Sequence, residues 1–75
     1  MEIKSLIGKR ILELRKDKGL SQEALANLAE VDRTYLTGVE TGKRNISVQV
    51  LQRIIKALET SFKDFFCHED FGDIR

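Results

Sequence analysis

An all-α fold is predicted by three observations. The 75 residues contain no proline and five glycines, so few positions interrupt a helix. Apolar residues recur at helical spacing in several blocks. A capping residue opens every block but the first, and glycine closes two of them.

The first helix is expected over residues 3–18. Ile3, Ile7, Ile11 and Leu14 recur at i, i+4, i+8 and i+11 as one apolar stripe, and Gly19 stops it. Ser21 can cap a second helix reaching Ala29, with Leu25, Ala26, Leu28 and Ala29 as its buried face. Asp32 can cap a third helix ending at Gly42. It puts Leu36 and Val39 on one side and Arg33, Thr34 and Thr37 on the other. Ser47 can cap a fourth, with Val50, Leu51, Ile54, Ile55 and Leu58 inward. Thr60 or Ser61 starts a short fifth helix; Ser61 to Asp64 has capping-box spacing with Asp in place of Glu. Phe62, Phe65 and Phe66 form its apolar side. The polar, acidic end from Cys67 to Arg75 is expected to fray. No repeat, linker or low-complexity segment interrupts the chain, so residues 1–75 are expected to form a single domain. Its core covers about 3–67, and 68–75 form a tail.

Composition removes several function classes. A chain this short buries only ~60% of its unfolded surface, so a partner subunit would help it. One cysteine excludes a disulfide framework and a multi-cysteine zinc site, and fits a reducing cytosol. No apolar run approaches ~18 residues, so neither a membrane span nor a signal peptide is expected and the chain should be cytoplasmic. His68 is the single histidine, beside Cys67, Glu69 and Asp70. Adjacent residues rarely close a metal site. No metal, other cofactor or small-molecule ligand is expected. No Ser/His/Asp set, paired catalytic carboxylates or phosphate-cradling glycine loop appears, so an enzyme is not expected.

Net charge is only +1, but it is segregated. Residues 1–20 carry six basic and three acidic side chains, and residues 21–41 carry one and four. Residues 42–58 carry four basic and none acidic, and residues 59–75 two and five. A nucleic-acid partner requires a basic face rather than a basic total. Chance clustering is the plain alternative.

The second and third helices are joined by only Glu30 and Val31 ahead of the Asp32 cap. Ala26 and Ala29 are small enough for close crossing, and Val31 can plug the joint. An ordinary helical hairpin would look the same. The exposed start of the third helix favours DNA. Arg33 can pair bidentately with guanine, and Thr34 and Thr37 offer hydroxyls and methyls to base edges. Tyr35 has three open uses: along a phosphate, as a wedge at a base step, or packed on the protein. Gly38 costs ~1 kcal/mol inside a helix, which suits close approach by DNA or by the fourth helix. Phosphate contacts are expected from Ser21 and Gln22 at the start of the second helix, where free N–H groups favour an anion. More are expected from Lys43, Arg44, Asn45 and Ser47 in a donor-rich loop. Arg15 adjoins the first apolar stripe, and Glu40 lies one turn after Leu36 facing inward. Each needs a partner there, and an Arg15–Glu40 ion pair is expected.

From Gly8 to Phe66 the chain resembles the helix-turn-helix family of phage repressors and their bacterial relatives, the xenobiotic-response-element type. The matching stretches are Gly19-Leu20-Ser21-Gln22-Glu23-Ala24-Leu25-Ala26, the Glu40-Thr41-Gly42-Lys43 end of the third helix, and the aliphatic fourth helix. The resemblance implies a five-helix lambda-repressor-like DNA-binding domain. It implies DNA contacts at Gln22, Arg33, Thr34 and Thr37, and an ion pair between Arg15 and Glu40. Asp32 to Leu36, Gly38-Val39-Glu40 and Arg44 to Ser47 are further similar to the controller proteins of restriction–modification systems. That subtype implies a small dimeric transcription regulator with no added ligand domain. Thr37-Gly38 and the missing proline before the fourth helix depart from the common pattern.

The expected partners are therefore double-stranded DNA, read at a pseudo-palindromic operator, and a second copy of the chain. Phe62, Phe65 and Phe66 exceed what so small a core can hide and are expected at the dimer interface. An antitoxin-type or phage-type repressor shares the fold, and a protein-interaction adaptor would use it without DNA.

Overall fold

The computed structural model describes residues 2–72. Helices α1 (Ile3–Asp17), α2 (Gln22–Ala29), α3 (Arg33–Glu40), α4 (Val48–Ala57) and α5 (Phe62–Phe66) are followed by a 3-10 turn, Glu69–Phe71. There is no strand among the described residues. The predicted caps form. The Ser21, Ser47 and Ser61 hydroxyls accept the backbone N–H of Ala24, Val50 and Asp64, and the Asp32 carboxylate accepts that of Tyr35. Each satisfies a donor that the first helical turn leaves without an internal partner.

The ends of the first four helices close alike. A left-handed residue is followed by an N–H that reaches back to the carbonyl five residues earlier, from Leu20 to Arg15, Val31 to Ala26, Lys43 to Gly38 and Thr60 to Ile55. Gly19 and Gly42 supply the left-handed position at φ 69° and 76°. Glu30 and Glu59 supply it elsewhere at φ 56°, against the usual preference for glycine. The backbone hydrogen bonds from Val31 to Ala26 and from Thr60 to Ile55 close these two turns, and their residue type gives no hint of them.

One core joins the helices. Ile11, Leu25, Leu36, Val39, Ile54, Leu58 and Phe65 are fully buried. α1 packs on α3, α2 on both α3 and α4, and α4 on α5. Two expected core positions are instead exposed. Leu28 is 59% exposed because the buried face of α2 is centred on Leu25, Ala26 and Ala29, and Leu28 lies beyond its edge. Ile3 is 48% exposed at the first turn of α1, and Leu6 is buried in its place.

The C-terminal end differs most from expectation. Phe65, expected at an interface, is fully buried in the chain's own core. Phe66 is half-buried, with its ring edge-on to Phe65 at 4.9 Å and to Phe71 at 5.0 Å. Phe71 thus folds the chain back, and the segment up to Gly72 is not frayed. Lys9 meets Asp70 at 3.3 Å across this junction. Arg10 ties it further, donating to the carbonyls of Phe65 at 2.6 Å and Asp64 at 2.9 Å. The remainder of the expected tail, Asp73 to Arg75, lies outside the described residues. Phe62, at 41% exposure, is the phenylalanine of the expected interface set that stays on the surface.

Candidate nucleic-acid interface

The joint between α2 and α3 is built as its small residues require. Ala26 and Ala29 are buried between the helices, and Val31 packs on the core from the connector. α3 presses Leu36, Val39 and Glu40 inward and turns Arg33, Thr34, Thr37 and Thr41 outward. Its height above the core is set by Gly8 of α1. A Cβ at Gly8 would run into the Val39 carbonyl oxygen, so only a bare backbone lets α1 and α3 meet this closely. Gly8 is a functional position for which the sequence offers one signal, its place one residue after Ile7 beside the apolar stripe.

Arg15 and Glu40 form the expected ion pair. The guanidinium donates from Nε to Glu40 Oε2 at 2.7 Å and from Nη2 to Oε1 at 3.1 Å. The two side chains are 11% and 2% exposed. Arg15 Nη1 also donates to the Leu20 carbonyl at 2.9 Å, which fixes the α1–α2 corner. The pair therefore ties α1, the corner and the end of α3 in one fork–fork contact.

Gln22 joins the same network, a link that nothing in its neighbours' identities foretells. Its amide nitrogen donates to Glu40 Oε1 at 2.9 Å. Its amide oxygen accepts from the Thr37 hydroxyl at 3.1 Å. Arg33, Ser21, Gln22, Glu23 and Asn27 line one open cleft between the start of α2 and the start of α3. Glu23 and Asn27 were not among the predicted site residues. The Glu23 carboxylate sits in the first turn of α2, where it complements the helix dipole.

The basic loop docks on the other flank of α3. The N–H groups of Lys43 and Arg44 both donate to the Gly38 carbonyl, at 2.9 and 3.1 Å. The Arg44 methylenes lie on Gly38, where an added Cβ would stand 2.7 Å from Arg44 Cγ. The guanidinium rides over the Tyr35 ring, 5.5 Å from its centroid. The Tyr35 hydroxyl donates to the Asn45 carbonyl at 3.3 Å. Gly38 thus makes room for the chain's own loop rather than for α4. Tyr35 packs on the protein through Arg44 and Asn45. Lys43, Asn45 and Ser47 are exposed beside it. The residues expected to read bases lie on α3, and those expected to bind phosphate lie at the start of α2 and in the loop after Gly42.

Residues 11–65 match the helix-turn-helix family model. The control protein C.MunI from Mycoplasma sp is 39% identical over 66 residues, 87% of this chain and 89% of that protein. The chain belongs to the helix-turn-helix controller proteins. The control protein C.BamHI from Bacillus amyloliquefaciens is 35% identical over 72 residues, 95% of this chain and 89% of its own length. Among solved structures, the wild-type restriction–modification controller C.Esp1396I superposes with a TM-score of 0.84 at 38% identity, covering 88% of this chain and 87% of that one. The controller C.AhdI from Aeromonas hydrophila gives 0.80 at 43% identity, covering 84% and 96%. C.Esp1396I has also been solved as a tetramer on its natural 35-base-pair operator.

Among the described residues, metal-ligating side chains converge where ligand atoms of Glu13, His68 and Asp70 lie within 4.8 Å of one another. The cluster has internal partners. His68 Nδ1 accepts the Asp70 N–H at 3.1 Å to cap the terminal turn, and Lys9 offsets the Asp70 charge. No helix among the described residues is long and apolar enough to cross a membrane.

Proposed function

We propose that this chain is a cytoplasmic transcription regulator that binds operator DNA as a two-fold dimer and controls restriction–modification genes. The observation that carries the reading is the disposition of α3. Its inner face is locked to α1 by Gly8 and the Arg15–Glu40 pair, and its outer face offers Arg33, Thr34 and Thr37 to a groove. Donors flank it on both sides: Ser21 and Gln22 at the start of α2, and Lys43, Arg44, Asn45 and Ser47 beyond Gly42. Phosphate donors position a helix, and the base edges it then meets specify the sequence. In a dimer, two such helices would enter successive major-groove faces ~34 Å apart and read a pseudo-palindromic site.

The solved variants of C.Esp1396I replace an arginine, a threonine and a tyrosine at three consecutive positions of that chain. Arg33-Thr34-Tyr35 is the same run at the start of α3. Among the three, Arg33 and Thr34 are free to meet bases, whereas Tyr35 holds the loop that carries Arg44.

Selection of bound sequences from a random duplex pool tests the function. A palindromic consensus is expected, and its absence overturns the reading. Arg33→Ala is expected to cost ~1–3 kcal/mol on the selected operator and to relax preference at one base pair per half-site. Equal weakening on operator and random DNA would reduce Arg33 to a phosphate contact.

A further inference from the structure

The hydrogen bonds around Thr37 fix the direction of each proton, and with it the kind of base this residue can read. The Glu40 carboxylate is buried and acceptor-only. Its Oε1 takes Arg15 Nη2 at 3.1 Å and faces the Gln22 amide at 2.9 Å. Gln22 must therefore turn its NH2 group to Glu40. That leaves the Gln22 carbonyl oxygen toward Thr37, 3.1 Å from the hydroxyl. A carbonyl only accepts, so Thr37 is the donor. The hydroxyl's other close neighbour, the Arg33 carbonyl oxygen at 3.0 Å, also only accepts. In either rotamer the Thr37 proton stays inside the protein, while the residue itself is exposed. An approaching group meets lone pairs and a methyl.

We propose that Thr37 is held as an acceptor-only reader by Glu40 acting through Gln22. It selects a base presenting an exocyclic amino donor in the major groove, cytosine N4 or adenine N6, and rejects the acceptor edge of guanine. The inference rests on α3 being the DNA-reading helix. Glu40 touches no base and is a positioning residue.

The test uses the operator obtained by selection and measures binding to every single base-pair substitution in one half-site. Thr37→Val keeps the shape and the methyl but removes the lone pairs. It is expected to lose about 5- to 150-fold at one position and to leave the Arg33-dependent position intact. At that position, replacing cytosine by 2-pyrimidinone or adenine by purine removes the amino group. The wild type is expected to suffer the same loss, with no further loss in Thr37→Val. Removing the purine N7 at the same pair, with 7-deazaguanine opposite cytosine or 7-deazaadenine in place of adenine, should leave binding unchanged. Glu40→Gln no longer dictates the Gln22 orientation and is expected to flatten preference at this one position. A merely structural role would instead weaken every position together and lower the melting temperature. If Glu40→Gln fails to fold, the Thr37→Val measurements decide alone. The proposal is overturned if Thr37→Val changes no position, or if its position responds to loss of the purine N7 and not to loss of the amino group. Failure of the underlying reading looks different: no enriched sequence, or no effect of Arg33→Ala.

Discussion

Glu40 is the residue on which fold and recognition meet. Its carboxylate accepts three hydrogen bonds, two from Arg15 and one from Gln22, and its side chain is 2% exposed. Removing one partner of such a pair leaves the other charge buried without compensation, at a typical cost of ~3–5 kcal/mol. Glu40→Ala is therefore expected to lower the unfolding free energy by that amount in urea titrations. Arg15→Met combined with Glu40→Leu should cost far less, because no orphaned charge remains. A shift below ~0.5 kcal/mol for Glu40→Ala would mean that the pair is exchanging with water. The double variant should still lose preference at the one position read by Thr37, since Gln22 no longer has a carboxylate to orient it. The pair was legible from sequence because two charged residues stood at apolar-facing positions. The Gln22 link was not, because a glutamine at a helix start is equally at home in solvent.

At the scale of elements, α3 is a short helix held from both flanks. Eight residues are too few to be stable alone, so its geometry comes from what it packs against. On one side α1 contributes Gly8. On the other, the loop contributes Arg44, seated on Gly38 and over Tyr35. This seat holds the guanidinium over Tyr35 at the flank of α3. Arg44→Ala is expected to weaken all sequences alike. Because a dimer would lose two phosphate contacts, the log–log salt dependence of binding should become shallower by roughly 0.9 × 2. An unchanged slope would remove Arg44 from the phosphate footprint. Gly38 is legible in the sequence as a site of close approach, with DNA and α4 as the two candidate partners. The partner is a third, the loop itself, and only the path of the chain after Gly42 reveals it.

For the whole molecule, the two ends of the structure have opposite character. The α2–α3 end carries the cleft and the basic loop, while the α5 end carries acidic side chains and Phe62 at 41% exposure. Phe62 borders a groove with Ile55, Gln52 and Thr60 between α4 and α5. The proposed dimer would cover Phe62 at this groove. Phe62→Asp is therefore expected to give a folded monomer, and Phe65→Asp to unfold the chain, since Phe65 is fully buried. Sedimentation at tens of micromolar checks both: the wild type should exceed 8.6 kDa and rise with concentration. A wild-type mass fixed at 8.6 kDa would defeat the dimer in the absence of DNA.

The sequence by itself determined the helices and their caps, because hydrophobic period and capping chemistry are local. Ser21, Asp32, Ser47 and Ser61 each act within three residues of themselves. It also determined the outward face of α3, since Leu36 and Val39 leave Arg33, Thr34 and Thr37 no other side. Tertiary structure alone decided which phenylalanine is core and which is surface. Phe62 and Phe65 share a composition and a helix, and they differ only in what lies opposite. It alone decided that residues 68–72 fold back, through Phe71 on Phe66 and Arg10 on the carbonyls of α5. And it alone decided the proton direction from Glu40 to Thr37, because that depends on atoms of α1, α2 and α3 brought within 3.1 Å of one another.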